Sequence, residues 1–126
     1  MSNAVLTTHP VPRVWIGRWL LLVAALHTAY AVIFFGNVYT DIAQRGVINT
    51  VGRDPLTGAA VWFLLFGVMM AMLSLAVTPL ERTGQRASLQ LLGYSLLALC
   101  GVGIALMPAS GFWLGLPAGI ALVLRR

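Results

Sequence analysis

The sequence predicts an all-α integral membrane bundle of four transmembrane helices, with a short amphipathic helix in the outer loop. Three observations predict it. The 126 residues are 60% apolar and only 9% charged, against roughly 45–50% and 25% in an average soluble chain. Three long runs, 19–40, 55–80 and 87–124, carry no charge. Eight arginines and no lysine stand in pairs at the ends of those runs. A chain this short has room for one domain. Eleven charged side chains cannot cover the surface of a soluble one. The composition therefore excludes a cytosolic enzyme, a disordered chain and a disulfide-stapled secreted domain.

A helix needs about 20 apolar residues to cross roughly 30 Å of hydrocarbon. The first run holds one span, about 16–35, and the second holds one, about 59–77. The third run is 38 residues long and is broken by Met107-Pro108-Ala109-Ser110-Gly111. It divides into spans of about 88–107 and 111–124, in a single domain covering 1–126. Ala29-Tyr30-Ala31 has the form of a signal-peptidase site, but the apolar run continues through Phe35. A cleavage site follows its apolar segment rather than interrupting it, so the first helix is expected to be retained.

Arginine placement orients the bundle. With four spans, six arginines (Arg13, Arg18, Arg82, Arg86, Arg125 and Arg126) share a side, and two, Arg45 and Arg53, lie opposite. Both termini are expected in the cytoplasm of a multi-pass protein of the bacterial inner membrane. Trp15 and Trp19 then mark the inner interface, and Trp62 and Trp113 the outer one. The paired arginines lack interleaved aromatics, so no nucleic-acid partner is expected.

Small residues recur four apart at Gly111, Gly115 and Gly119, at Gly67 and Ala71, and at Gly101 and Ala105. Such faces let helices approach closely in lipid, either within the chain or in a homodimer through Gly111, Gly115 and Gly119. Pro117 removes the helical hydrogen bond to the Trp113 carbonyl and is expected to leave an acceptor exposed.

Near the middle of the first span stands His27. An ionisable side chain at that depth is expensive and marks a functional site by default. The alternative is a neutral ring donating one structural hydrogen bond. Tyr30 and Phe34 share its helix face. The other histidine, His9, lies in the N-terminal tail, and His27 with Cys100 does not fill a zinc tetrahedron. No metal and no cofactor is expected.

The connection 36–58 is long and mixes apolar with polar residues. Its expected amphipathic helix, near Thr40 to Arg45, contains the favourable i,i+4 pair Asp41–Arg45. That helix either lies at the interface or folds over the bundle as a lid that brings Asp41 or Asn49 to His27. Asp54-Pro55 reads as the capped start of the second helix. Glu81-Arg82 reads as a salt-bridged turn after Pro79, with no chemistry assigned.

The residues define a candidate site with His27 and Asp41 as acid–base groups. Tyr30, Asn49, Trp62, Phe66, Ser110 and Trp113 are its ligand-binding residues. The favoured function is binding or conversion of a small apolar molecule in a pocket on the outer half of the bundle. An enzyme of this kind would be isomerase- or cyclase-like, moving protons on a lipid-soluble substrate. The alternatives are a small transporter or accessory subunit with His27 as proton site, and a structural or partner-binding membrane protein.

Leu26-His27, Asp41-Ile42, Gly46 with Asn49, Trp62-Phe63, Gly67, Pro108 with Ser110-Gly111-Phe112-Trp113, Pro117 and the terminal arginines occur in an order that resembles a known family. That family is a bacterial one of small four-helix membrane proteins catalogued only as a domain of unknown function. The resemblance runs from about Arg13 onward. It implies a four-helix membrane protein and transfers no substrate or catalytic residue. In size and span count the chain is also similar to small multidrug-resistance exporters and DoxX-type proteins. The exporters depend on a glutamate within their first helix, and no span here contains a carboxylate.

Overall fold

A computed structural model describes residues 13–125; His9 and Arg126 lie outside them. Among the described residues the chain forms four α-helices and a 3-10 helix: α1 (Ile16–Arg45), α2 (Pro55–Thr83), α3 (Arg86–Leu106), the 3-10 helix (Gly111–Gly115) and α4 (Leu116–Leu124). The first three are long and apolar enough to cross a membrane. At 1.5 Å per residue, the 30 residues of α1 span about 45 Å.

The expected first helix ended at Phe35, with a separate amphipathic helix beyond it. Instead α1 runs unbroken to Arg45, and Phe35 is a kink at φ −108°, ψ 16°. The Thr40–Arg45 stretch is helical, as the last turns of α1 rather than as an independent element. The connection that follows therefore shrinks to residues 46–54. It turns through Gly46, Asn49 and Gly52, each with positive φ.

α2 begins as its sequence dictates. The Asp54 carboxylate accepts the Leu56 and Thr57 N–H groups, and Pro55 occupies the first helical position, where a missing N–H costs nothing. The helix ends at Gly84, whose left-handed conformation returns its N–H to the Leu80 carbonyl.

α1 and α2 form one antiparallel hairpin, and α3 forms a second with the 3-10 helix and α4. Glycines set the approach in both. The backbone of Gly17 lies against Thr78 and Ser74, and Ser74 Oγ donates to the Gly17 carbonyl at 2.8 Å. A Cβ on Gly93 would stand 2.9 Å from the Val123 nitrogen. Gly103 lies against the Phe112 ring, Gly115 against Cys100 Sγ and Gly119 against Leu97. Gly115 and Gly119 thus serve close packing within the chain, while Gly111 has nothing within 4 Å of its Cβ position.

The 3-10 helix changes the consequence of Pro117. The Trp113 carbonyl, expected to be vacant, accepts the Leu116 N–H. In the i→i+3 register the residue that would serve Leu114 is Pro117, which has no N–H. The Leu114 carbonyl instead accepts the indole N–H of Trp19 at 2.9 Å, tying α1 to the second hairpin.

All four helices meet in a core of Ile16, Leu20, Val77, Leu89, Ala118 and Leu122, with Trp19, Leu73 and Leu96 packed against it. This core sits at the end where α1 and α3 begin and α2 and α4 finish. Arg13, Arg18, Arg82, Arg86 and Arg125 lie at that end, and Arg45 and Arg53 at the other. Around the outside, Ile33, Trp62, Leu75, Leu91 and Leu106 are exposed. Apolar side chains so widely distributed suit a hydrocarbon solvent.

Candidate functional site

His27 lies eleven residues into α1, about 16 Å along it from Ile16. Its imidazole stacks on Phe63 of α2, with ring centroids 4.1 Å apart and planes 15° apart. Its Nε2 lies 2.9 Å from the Phe63 carbonyl oxygen. A carbonyl only accepts, so Nε2 carries the proton and donates. Gly67, one turn further along α2, makes room for the ring. A Cβ there would stand 3.1 Å from His27 Cδ2 and 2.7 Å from Thr28 Oγ1.

Aromatic side chains surround the imidazole. Phe66 is 5.5 Å from it, and Phe63 is in turn 6.0 Å from Tyr30 and 5.7 Å from Phe35. Tyr30 stacks on Phe34 at 4.9 Å. Phe66 also reaches Phe112 of the 3-10 helix, at 6.4 Å, so the cluster touches both hairpins. It continues outward through Phe35 to Tyr39, whose hydroxyl donates to the Ala60 carbonyl at 2.8 Å.

A shallow open groove of about 430 Å³ runs along the α1–α2 seam, lined by Leu21, Ala24, Ala25, Thr28, Gly67 and Ala71 among others. His27 does not line it. At 100° per residue the imidazole is turned well away from Leu21, Ala25 and Thr28. Gly67 is where the groove and the aromatic cluster meet.

Of the residues expected at the site, the structure brings His27, Tyr30 and Phe66 together. Trp62 adjoins Phe63 in sequence but is exposed on the outside of α2. Asp41 pairs with Arg45 on the exposed surface of α1. It lies fourteen residues along the same helix from His27, about 21 Å away. Because α1 is continuous, Asp41 does not fold back as a lid. Asn49 is exposed in the 46–54 turn, with φ 53°. Ser110 Oγ is buried without a hydrogen-bond partner, and Trp113 donates its indole N–H to the Pro108 carbonyl at 2.9 Å.

Sequence reasoning missed Phe63 and Phe112, which complete the aromatic cluster. The signal was available for Phe63, since 63 and 66 share a helix face with Gly67 and Met70. It also misread Glu81. That residue is fully buried in the last turn of α2. It accepts the N–H groups of Ile16 at 3.3 Å and Gly17 at 2.8 Å, and it pairs with Arg125 rather than Arg82. The cause lies at the start of α1, where Trp15 supplies no side-chain cap and the first N–H groups need an acceptor.

No curated protein and no solved structure matches the chain. The family of unknown function DUF6463 matches residues 11–126, nearly the whole chain. The protein belongs to that family.

Proposed function

We propose that this is an integral membrane protein that binds a small apolar molecule between its two hairpins, with His27 as the polar contact. The observation that carries this reading is the placement of His27. A mid-helix imidazole is held by Phe63 in a cluster of aromatic rings contributed by both hairpins. Tyr30, Phe63, Phe66 and Phe112 would form the apolar walls. Polar groups at this depth usually serve ligands or protons, and apolar sites with few polar groups are the common form of small-molecule pockets. Conversion of the bound molecule would use His27 as the acid–base group, because its Nε2 is anchored while its other nitrogen is free.

The proposed setting is the bacterial inner membrane, with both termini cytoplasmic. The excess of arginine at the Glu81 end supports that orientation. His27 then lies near mid-depth, and the cluster extends toward the outer half.

Photolabelling tests the site. A diazirine-bearing hydrocarbon probe, applied to the protein in nanodiscs, should label peptides containing Tyr30, Phe63, Phe66 and Phe112 saturably. His27→Leu should reduce that labelling. Unsaturable labelling spread evenly over exposed positions such as Ile33, Leu75 and Leu91 would overturn the proposal.

A further inference from the structure

We infer that the His27 site selects apolar molecules bearing a hydrogen-bond donor, an alcohol or phenol hydroxyl, over ethers and ketones of the same shape. The inference rests on the proposed ligand site and adds the chemistry of its ligand.

The argument begins at the Phe63 carbonyl. It has no hydrogen to give, so the contact at Nε2 requires the Nε2–H tautomer. A neutral imidazole has one N–H, and that one is committed. Nδ1 therefore presents a lone pair, an acceptor with nothing to donate. Among the described residues it has no hydrogen-bond partner, and the ring is only half-buried.

Nothing nearby competes for that lone pair. The Tyr39 hydroxyl is bonded to Ala60, and the Trp19 and Trp113 indoles to Leu114 and Pro108. The carboxylates cannot supply a donor and are engaged elsewhere: Glu81 with Arg125, Asp41 with Arg45, and Asp54 with Thr57. In hydrocarbon there is no water to fill the vacancy. A hydroxyl on a bound molecule gains a hydrogen bond there. An ether or carbonyl oxygen in the same place sets one lone pair against another. A site that offers a single unmet acceptor discriminates by that difference.

The test uses the full chain in nanodiscs and three matched probes: farnesol, its methyl ether and the hydrocarbon farnesene. Nitrogen-15 NMR of labelled histidine reads which His27 nitrogen carries the proton. Saturable shifts of the His27 and Phe63 resonances read binding. The expected result is a proton on Nε2, with farnesol binding up to about tenfold more tightly than the ether, the range one net hydrogen bond allows. His27→Leu should erase the preference for the alcohol while farnesene binding persists. A proton on Nδ1, or equal affinity for alcohol and ether, would overturn the inference and leave the site standing. Failure of all three probes to bind would remove the site and the inference with it.

Discussion

Glu81, in the last turn of α2, and Arg125, just beyond α4, form an ion pair whose carboxylate is completely buried. The same carboxylate receives the first N–H groups of α1, and Arg125 also donates to the Arg13 carbonyl at 2.6 Å. One side chain thus joins the beginning of α1, the end of α2 and the end of the second hairpin. The positive end of the α1 dipole and the guanidinium together offset the cost of burying the charge. Glu81→Ala leaves a buried cation and unpaired N–H groups, and is expected to cost about 3–5 kcal/mol. Glu81→Ala combined with Arg125→Leu should recover part of that loss. Unfolding in a denaturing detergent titration measures both; a single variant as stable as wild type would contradict the capping role.

Two glycines offer a matched contrast. A methyl on Gly93 meets the Val123 nitrogen at 2.9 Å, and backbone cannot swing aside as a side chain can. A methyl on Gly101, two turns along the same helix, meets nothing within 4 Å. Gly93→Ala should therefore destabilise the α3–α4 hairpin by about 1–3 kcal/mol, the usual cost of overpacking. Gly101→Ala should be neutral or slightly stabilising through helix propensity. Equal melting temperatures for the two would contradict the packing described.

Orientation can be read by labelling. Single cysteines at Asn49 and Gln85, both exposed, are introduced with Cys100 replaced by Ala. In intact cells a thiol reagent that does not cross membranes should label Asn49→Cys and spare Gln85→Cys. The reverse pattern would invert the proposed topology.

The α2 cap gives a pH dependence. Hydrogen bonds from the Thr57 hydroxyl and backbone N–H hold the Asp54 carboxyl below its ordinary value. A group with a depressed folded pKa stabilises the fold above its unfolded pKa, and that contribution is lost as pH falls through the folded value. Stability should therefore decline on acidification through and below the ordinary carboxylate range. Asp54→Asn should remove that part of the decline. Thr57→Val should move the Asp54 titration upward, as read by carbon-13 NMR; an unmoved titration would mean the hydroxyl does not hold the carboxylate.

The elements legible in the sequence were those with local causes. Charge-free runs located the long helices, Asp54-Pro55 marked the start of α2, and the Met107–Gly111 break separated α3 from the final segment. Phe35 was detected as a discontinuity but read as a terminus. The helical pairing of Asp41 with Arg45 argued for continuation, yet Gly36 and Asn37 obscured it. Glu81 was illegible because its partners are 44 to 65 positions away. No periodicity reports a cap supplied by another helix. The only trace was negative: α1 begins at Trp15 without a capping side chain. At the site, His27 stood out by its expense in an apolar helix. Phe63 did not, since a phenylalanine in such a helix is unremarkable until its carbonyl is seen accepting from the ring.

The central claim is that His27 serves a ligand rather than the fold, and His27→Leu tests it most directly. Leucine is apolar, and the lost Phe63 contact is a single hydrogen bond, worth about 1–2 kcal/mol or less between helices. The measurement is thermal stability alongside saturable binding of the diazirine probe, on the same nanodisc sample. The expected result is a melting temperature close to wild type with binding lost. A variant that unfolds or aggregates, or one that binds the probe as well as wild type, would contradict the account.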